Sequence, residues 1–460
     1  MVELLVGRGA NVTIIDGFGI DILHSACLVG DVEVVKYVLS QRTVDINDKV
    51  RCGRTAVMLA AEYGHKDVVE LLVDKGADVS LVDRTGGNIL HCASLGGDAE
   101  VVNYILSKDI VDINSIGYRK KTPVMIAGQN GHTEVVHLLV KHGANLYLRD
   151  KRGNNVLHLA CSEGHLDVVK YIMSLDTMNI NRRGYERRTP VMLAGEGGHT
   201  EVVEFLVKHG VNLSFRDNSR NNILHLACWE GHLNVVKYIT SLDTVNFNSG
   251  GLVGKTPVIL AGKRGHKDVV EFLVKHGASL SIRDNNHNTI LHPACWEGHL
   301  DVVKYIMSLH TMDIDSGGYR KRTPVMLAGI GGHKELVEFL VKQGASLSLR
   351  NIDHENILHY TCHGGSVDLL MGIGDVSSSS LEDIIVAPVH WNFVPITYTF
   401  AGVCRGNINY VVVPVTVGDG SSFQHGSQAH KDLREGLCLI GILDNLMAGT
   451  VEIRNTLDPS

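Results

Sequence analysis

The chain has 460 residues, 44% of them hydrophobic and 20% charged, with a net charge of −7. So mild a negative balance excludes a general attraction to nucleic acid or to anionic membranes. Length alone would suggest two to four globular domains, until the internal repeat is recognised.

The opening residues read as repeat and not as a signal sequence. MVELLVGRGANV at residues 1–12 aligns with VVELLVDKGADV at 68–79. Residues 1–19 are therefore expected to hold only the second helix of a repeat. Nothing there is polar enough to cap a stack, so a truncated piece of a longer protein is expected rather than a frayed half-repeat.

From residue 20 to 372 the chain is periodic. Thr55, Thr122, Thr189, Thr256 and Thr323 lie 67 residues apart, as do His24, His91, His158, His225, His292 and His359. Each 67-residue unit divides into halves of 33 and 34 residues, and in the unit from Thr189 each half holds two short apolar helix signals joined by a Gly-His turn. Type A halves start at the threonines; type B halves start at Asp21, Asn88, Asn155, Asn222, Thr289 and Asn356. A strict period in this range predicts stacked helical hairpins that share one core.

In type A, Thr189 is predicted to cap its helix through the side chain, with Pro190 at the first helical position. In type B, Asn222 takes the cap and Leu224-His225 follows. Val202, Val203, Phe205 and Leu206 give the second helix a buried face. Type A second helices end on Gly76, Gly143, Gly210, Gly277 and Gly344, suited to a left-handed terminus. Type B lacks that glycine, and its helices are expected to end differently, about one residue later.

Thr-Pro-Val-Met in type A and Leu-His in type B together resemble the Thr-Pro-Leu-His signature of the ankyrin repeat. The resemblance implies an all-α ankyrin-repeat solenoid over residues 1–372 with projecting hairpin fingers. It also implies a non-catalytic protein–protein interaction scaffold or adaptor whose partners meet its concave groove and finger tips. A second reading is the recognition arm of a larger signalling enzyme, ubiquitin-ligase adaptor or channel.

Past residue 372 the pattern stops. Residues 373–382 read as a Gly/Ser linker, and 383–460 form a tail of unrecognised family. Stretches 384–386, 396–400 and 410–417 are rich in strand formers and 433–447 reads as a helix, so a small β-containing domain, a mispredicted gene end and a disordered tail all stand. Residues 384–404 carry no acidic or basic residue apart from His390. Pro388, Pro395 and Asn392 argue against insertion, and no membrane association is expected.

No catalytic residue, cofactor or metal is expected. Of 25 histidines, the Leu-His row and the Gly-His row (His65, His132, His165, His199, His232, His266, His299, His333) recur with the repeat, and so serve it. No Cys/His cluster has zinc-ligand spacing. Cys27, Cys161, Cys228, Cys295 and Cys362 share one position as small buried thiols, which fits a reducing, cytoplasmic or nuclear compartment.

Binding is where the units differ. The residues before each Gly-Gly or Gly-His turn line the groove in the ankyrin family; along type B they read Leu28, Leu95, Ser162, Trp229, Trp296 and His363. Trp229 and Trp296 are the first partner-binding candidates, with Leu28, Leu95, Lys263 and Arg264 beside them. The other reading packs each indole over a neighbouring helix. Glu163, Glu230 and Glu297 form a parallel acidic line.

The fingers entering type A units carry Tyr118-Arg119, Tyr185 with Arg187, and Tyr319-Arg320. Such tips suit a protein partner with an acidic segment, or serve as solvated loops. Nucleic acid is not expected, because the patches are interrupted, and the chain is expected to be a monomer. Asn47, Asn114, Asn181 and Asn248 share a finger position open to asparagine hydroxylation in this family, from which Asp315 departs.

Overall fold

The computed structural model describes residues 2–242, 244–363, 395–404 and 407–416. They fall in two compact units, residues 1–313 and 314–460. In the first unit every predicted half-repeat forms a helical hairpin. First helices run Ile22–Val29, Ala56–Glu62, Ile89–Gly96, Pro123–Gln129, Val156–Glu163, Pro190–Glu196, Ile223–Glu230, Pro257–Arg264 and Leu291–Trp296. Each of the first eight packs against the first helix of the next half-repeat, and all nine pack against their own second helix, as Ile223–Glu230 does against Pro257–Arg264 and Leu233–Thr240. The result is an all-α stack with one continuous core.

The core is the period made visible. Leu23, Leu90, Leu157, Leu224 and Leu291 are buried in the first helices, and Val202, Val203 and Leu206 in a second helix. Phe205 departs from the expected face: it is half-buried, and its ring stacks on His209 at 4.1 Å between centroids. Position 205 lies at the edge of the apolar stripe, where an aromatic covers the helix end instead of entering the stack. Cys27, Cys161, Cys228 and Cys295 are free and buried. Burial pushes the Cys27 thiol up to about 12, so it acts as a small apolar residue.

The two helix-start designs behave differently. Asn222 accepts from the His225 backbone N–H at 3.2 Å, and His225 Nδ1 accepts from the Asn222 N–H at 3.3 Å. This reciprocal pair satisfies donors that a helix start leaves open. Thr189 does not cap as predicted. It has no side-chain capping bond, and its buried hydroxyl finds no partner. In type A a methionine such as Met192 stands where type B has histidine, so the hydroxyl has no ring nitrogen to reach. Thr289, the type B start that combines threonine with histidine, shows the difference: its hydroxyl lies 3.0 Å from His292 Nδ1.

At second-helix ends the expected extra residue is corrected, while the expected difference in how the helices end is found. Type A helix Thr133–Lys141 and type B helix Ala99–Ser107 are both 9 residues long. Two residues beyond each end the chain turns left-handed, at Gly143 (φ 94°) and at Asp109 (φ 52°). Arg42, Asp176 and His310 hold the same place with φ of 50–53°. Type A adds a bond from Ala144 N–H to the Leu139 carbonyl at 2.9 Å, whereas type B keeps the shorter one, Asp109 N–H to Leu106 at 3.2 Å.

The second unit contains helices Pro324–Ile330, Lys334–Lys342 and Ile357–His363. It also contains two strands, β1 (Pro395–Cys404) and β2 (Asn407–Thr416), paired antiparallel from Pro395↔Thr416 to Cys404↔Asn407. The expected strands at 396–400 and 410–417 map onto this hairpin. The Gly/Ser linker, the strand expected at 384–386 and the helix expected at 433–447 lie outside the described residues. Among the described residues no helix is long and apolar enough to cross a membrane.

Candidate functional site

The groove row is built on histidines. His266 Nε2 donates to the Trp229 carbonyl at 3.1 Å, His299 to the Lys263 carbonyl at 2.9 Å, and His65 and His132 to those of Leu28 and Leu95 at 3.0 Å. From His65 to His299, each imidazole of the Gly-His row thus fixes a residue of an earlier repeat through its main chain. The turn glycine permits this approach: a Cβ on Gly231 (φ 83°) would come within 2.5 Å of His266 Nδ1. The Leu-His row faces the other way, with His158 and His225 donating to the Arg182 and Ser249 carbonyls of the next finger at 3.0 and 2.9 Å. Burial lowers both imidazoles to about 4, so they work as neutral donors. Among the described residues no group of three His, Cys, Asp or Glu converges as a metal site.

On this anchored row the side chains diverge. The Trp229 ring is half-buried under the next first helix, with Arg264 at 4.9 Å and Lys263 at 5.5 Å from the indole. Lys263 also pairs with Glu297 at 3.7 Å. Trp296 is 44% exposed, and Leu95 and Tyr63 are exposed too. The two indoles therefore differ in surroundings: Trp229 lies against two cations, and Trp296 is the more exposed. Tyr63 escaped the sequence reading, which followed the groove row through type B. Its signal was there, in the position before Gly64-His65.

In the fingers, Arg119 and Lys120 turn left-handed (φ 54° and 60°), as do Glu186 and Arg187 (52° and 62°). Tyr118 and Tyr185 are exposed, and Arg119 lies 5.1 Å from the Tyr118 ring. The guanidinium over Tyr185 is Arg152 of the preceding type B finger, also at 5.1 Å. That residue was missed because the sequence reading weighed only fingers entering type A. In the second unit Arg320 pairs with Asp353, while Tyr319 is exposed. Asn114 Oδ1 accepts from the Asn145 N–H at 2.7 Å, and Asn47, Asn181 and Asn248 accept likewise from residues 31 ahead at 2.8–2.9 Å. Asp315 does the same for Ser346, so the departure keeps the bond.

The structure thus defines a helical-repeat protein with a histidine-pinned row of varied side chains and laced fingers. A model of three ankyrin repeats matches residues 1–83, 23–117, 90–184, 175–250 and 242–317, and a single-repeat model matches 320–352. The chain belongs to the ankyrin-repeat family, whose repeats are protein-interaction modules and generally non-catalytic. It is similar to the transient receptor potential cation channel subfamily A member 1 of Homo sapiens (29% identity, covering 82% of this chain and 38% of the channel). The Drosophila melanogaster channel of the same name shows 26% identity over 72% of this chain and 29% of its own length. The ankyrin repeat and KH domain-containing protein mask-1 of Caenorhabditis elegans shows 29% identity, covering 69% and 11%. The chain spans well under half the length of these relatives.

Proposed function

We propose that this chain is a non-catalytic adaptor that holds a protein partner in its groove, with Trp296 as the anchor and Trp229 under Lys263 and Arg264 as the charged shelf beside it. Leu28 and Leu95 extend the surface toward the N-terminal repeats. The observation that carries the reading is the contrast within one row: from Leu28 to Lys263 the main chain is pinned alike by histidine, while the side chains differ from unit to unit. Positions released from stacking are free to serve recognition. Buried free thiols fit a reducing compartment, so cytoplasmic or nuclear residence is part of the proposal. The test is the double substitution Trp229→Ala with Trp296→Ala in the full chain. A captured partner should bind at least tenfold more weakly to a variant with unchanged circular dichroism, a loss of about 1.4 kcal/mol or more. Unchanged binding would remove the groove from the reading.

The similarity to two cation channels favours a second reading, in which the repeats serve as the recognition arm of a larger channel. A longer transcript that encodes membrane-spanning segments in frame would support it; a transcript ending with this chain would sink it. Hydroxylation of Asn47, Asn114, Asn181 and Asn248 is a further proposal. It is compatible with their bonds, which use the amide oxygen and leave Cβ free. Unmodified peptides from native tissue by mass spectrometry would dispose of it.

A further inference from the structure

Four successive fingers, at residues 117–121, 150–154, 184–188 and 217–221, carry a run of exposed cations: Arg119, Lys120, Lys151, Arg152, Arg187 and Arg220. The acids among them are already committed. Asp150 and Asp217 are buried in their own turns, where they accept from the Asn154 and Asn221 N–H at 2.8 Å. Glu186 pairs with Arg188 at 2.9 Å. The positive run ends on its C-terminal side, where the next two fingers offer Leu252-Val253-Gly254 and Asn285-Asn286 instead.

The fingers are tied into one edge by hydrogen bonds from main-chain N–H groups. Lys151 N–H donates to the Arg119 carbonyl at 2.7 Å, Tyr185 N–H to Asn154 Oδ1 at 2.9 Å, and Asn218 N–H to the Glu186 carbonyl at 2.9 Å. Cost points the same way as charge. Lys120, Arg187 and Arg220 adopt left-handed φ of 60–62°, where Gly153 and Gly254 stand in comparable turns. A side chain there costs on the order of 1 kcal/mol, which folding alone gives no reason to spend.

We infer that this finger edge binds an extended, carboxylate-rich segment of a protein partner, with one acidic side chain meeting each finger. The inference rests on the adaptor reading and adds a second surface and the chemistry of what it takes. Stacked helices are spaced about 10 Å apart, and an extended chain rises about 3.3 Å per residue, so acids at every third position keep step with the fingers. Four fingers then read about ten residues. Arginine suits the task because its planar fork grips a carboxylate bidentately, and the Arg152–Tyr185 stack holds one such fork in place.

The test uses the full chain and two fluorescent decapeptides of equal composition, one with glutamate at every third position and one with its glutamates in a block. The spaced peptide should bind at least tenfold tighter than the blocked one and weaken as salt rises. Combining R119E, R152E, R187E and R220E should abolish that preference, and the milder set R119Q, R152Q, R187Q and R220Q should reduce it at least fivefold with an unchanged thermal melt. Equal binding of the two peptides, or unchanged binding by the glutamine set, would overturn the inference. So would tighter binding to anionic phosphatidylserine vesicles or to oligo-dT than to the spaced peptide. Trp229→Ala with Trp296→Ala should leave peptide binding intact, which separates failure of this surface from failure of the groove.

Discussion

Thr189 and Asn222 begin the two kinds of first helix, and they differ in what their side chains reach. The Asn222 oxygen is occupied by a helix N–H, while the Thr189 hydroxyl is buried without a partner. Removing a satisfied cap costs about 1 kcal/mol, whereas removing an orphaned buried hydroxyl relieves a desolvation penalty. Asn222→Ala should therefore lower stability by about 1 kcal/mol, and Thr189→Val should leave it unchanged or raise it slightly. Urea midpoints for the two variants decide the matter; a Thr189→Val loss equal to that of Asn222→Ala would contradict the assignment. What the sequence hid here is local chemistry. Threonine before proline reads as a cap, yet whether its oxygen works depends on the residue three places on, and methionine offers no ring nitrogen.

At the scale of the element, the second helices show that a shared fold can impose one backbone on unequal residues. Stacking fixes where each helix must stop, so type B units turn left-handed at the same place as type A despite lacking glycine. The period was legible because leucine, valine and histidine recur at fixed spacing. The helix end was not, because it answers to the neighbouring hairpin and not to Asp109 or Asp176 itself. The price is strain at those residues, with a carboxylate also set near a negative helix end. Asp176→Gly should stabilise the chain by about 0.5–1 kcal/mol. Gly143→Ala, with open space around it but a φ of 94°, should destabilise it by about 1 kcal/mol. Thermal melts of both variants test this, and a destabilised Asp176→Gly would show that its side chain does more for the turn than the strain takes away.

Across residues 1–313 the same dependence on neighbours becomes a pH response. The repeat made the Leu-His row readable as structural; its protonation state required the burial and the partner carbonyls. His158 and His225 donate through Nε2 to carbonyl oxygens, and burial lowers both rings from 6.5 to about 4. Burial is the larger effect, and it outweighs the bonds to the Arg182 and Ser249 carbonyls, which favour the protonated ring. Because the folded values lie below the unfolded ones, between about pH 4 and 6.5 the unfolded chain binds more protons. Stability therefore rises with pH across that window, is complete above 6.5 and is lost as pH falls toward 4. The loss is at most about 1.4 kcal/mol per pH unit for each histidine. No hairpin here is stable alone, so protonating one ring loosens the bond to the next finger and weakens the repeats on either side. The urea midpoint should fall steeply between pH 6.5 and 4.5, and the ring protons of His158 and His225 should show no titration by NMR above pH 5. A midpoint that stays level down to pH 5 would mean that these rings carry a proton in the folded chain and donate to Asn155 and Asn222 instead of accepting from them.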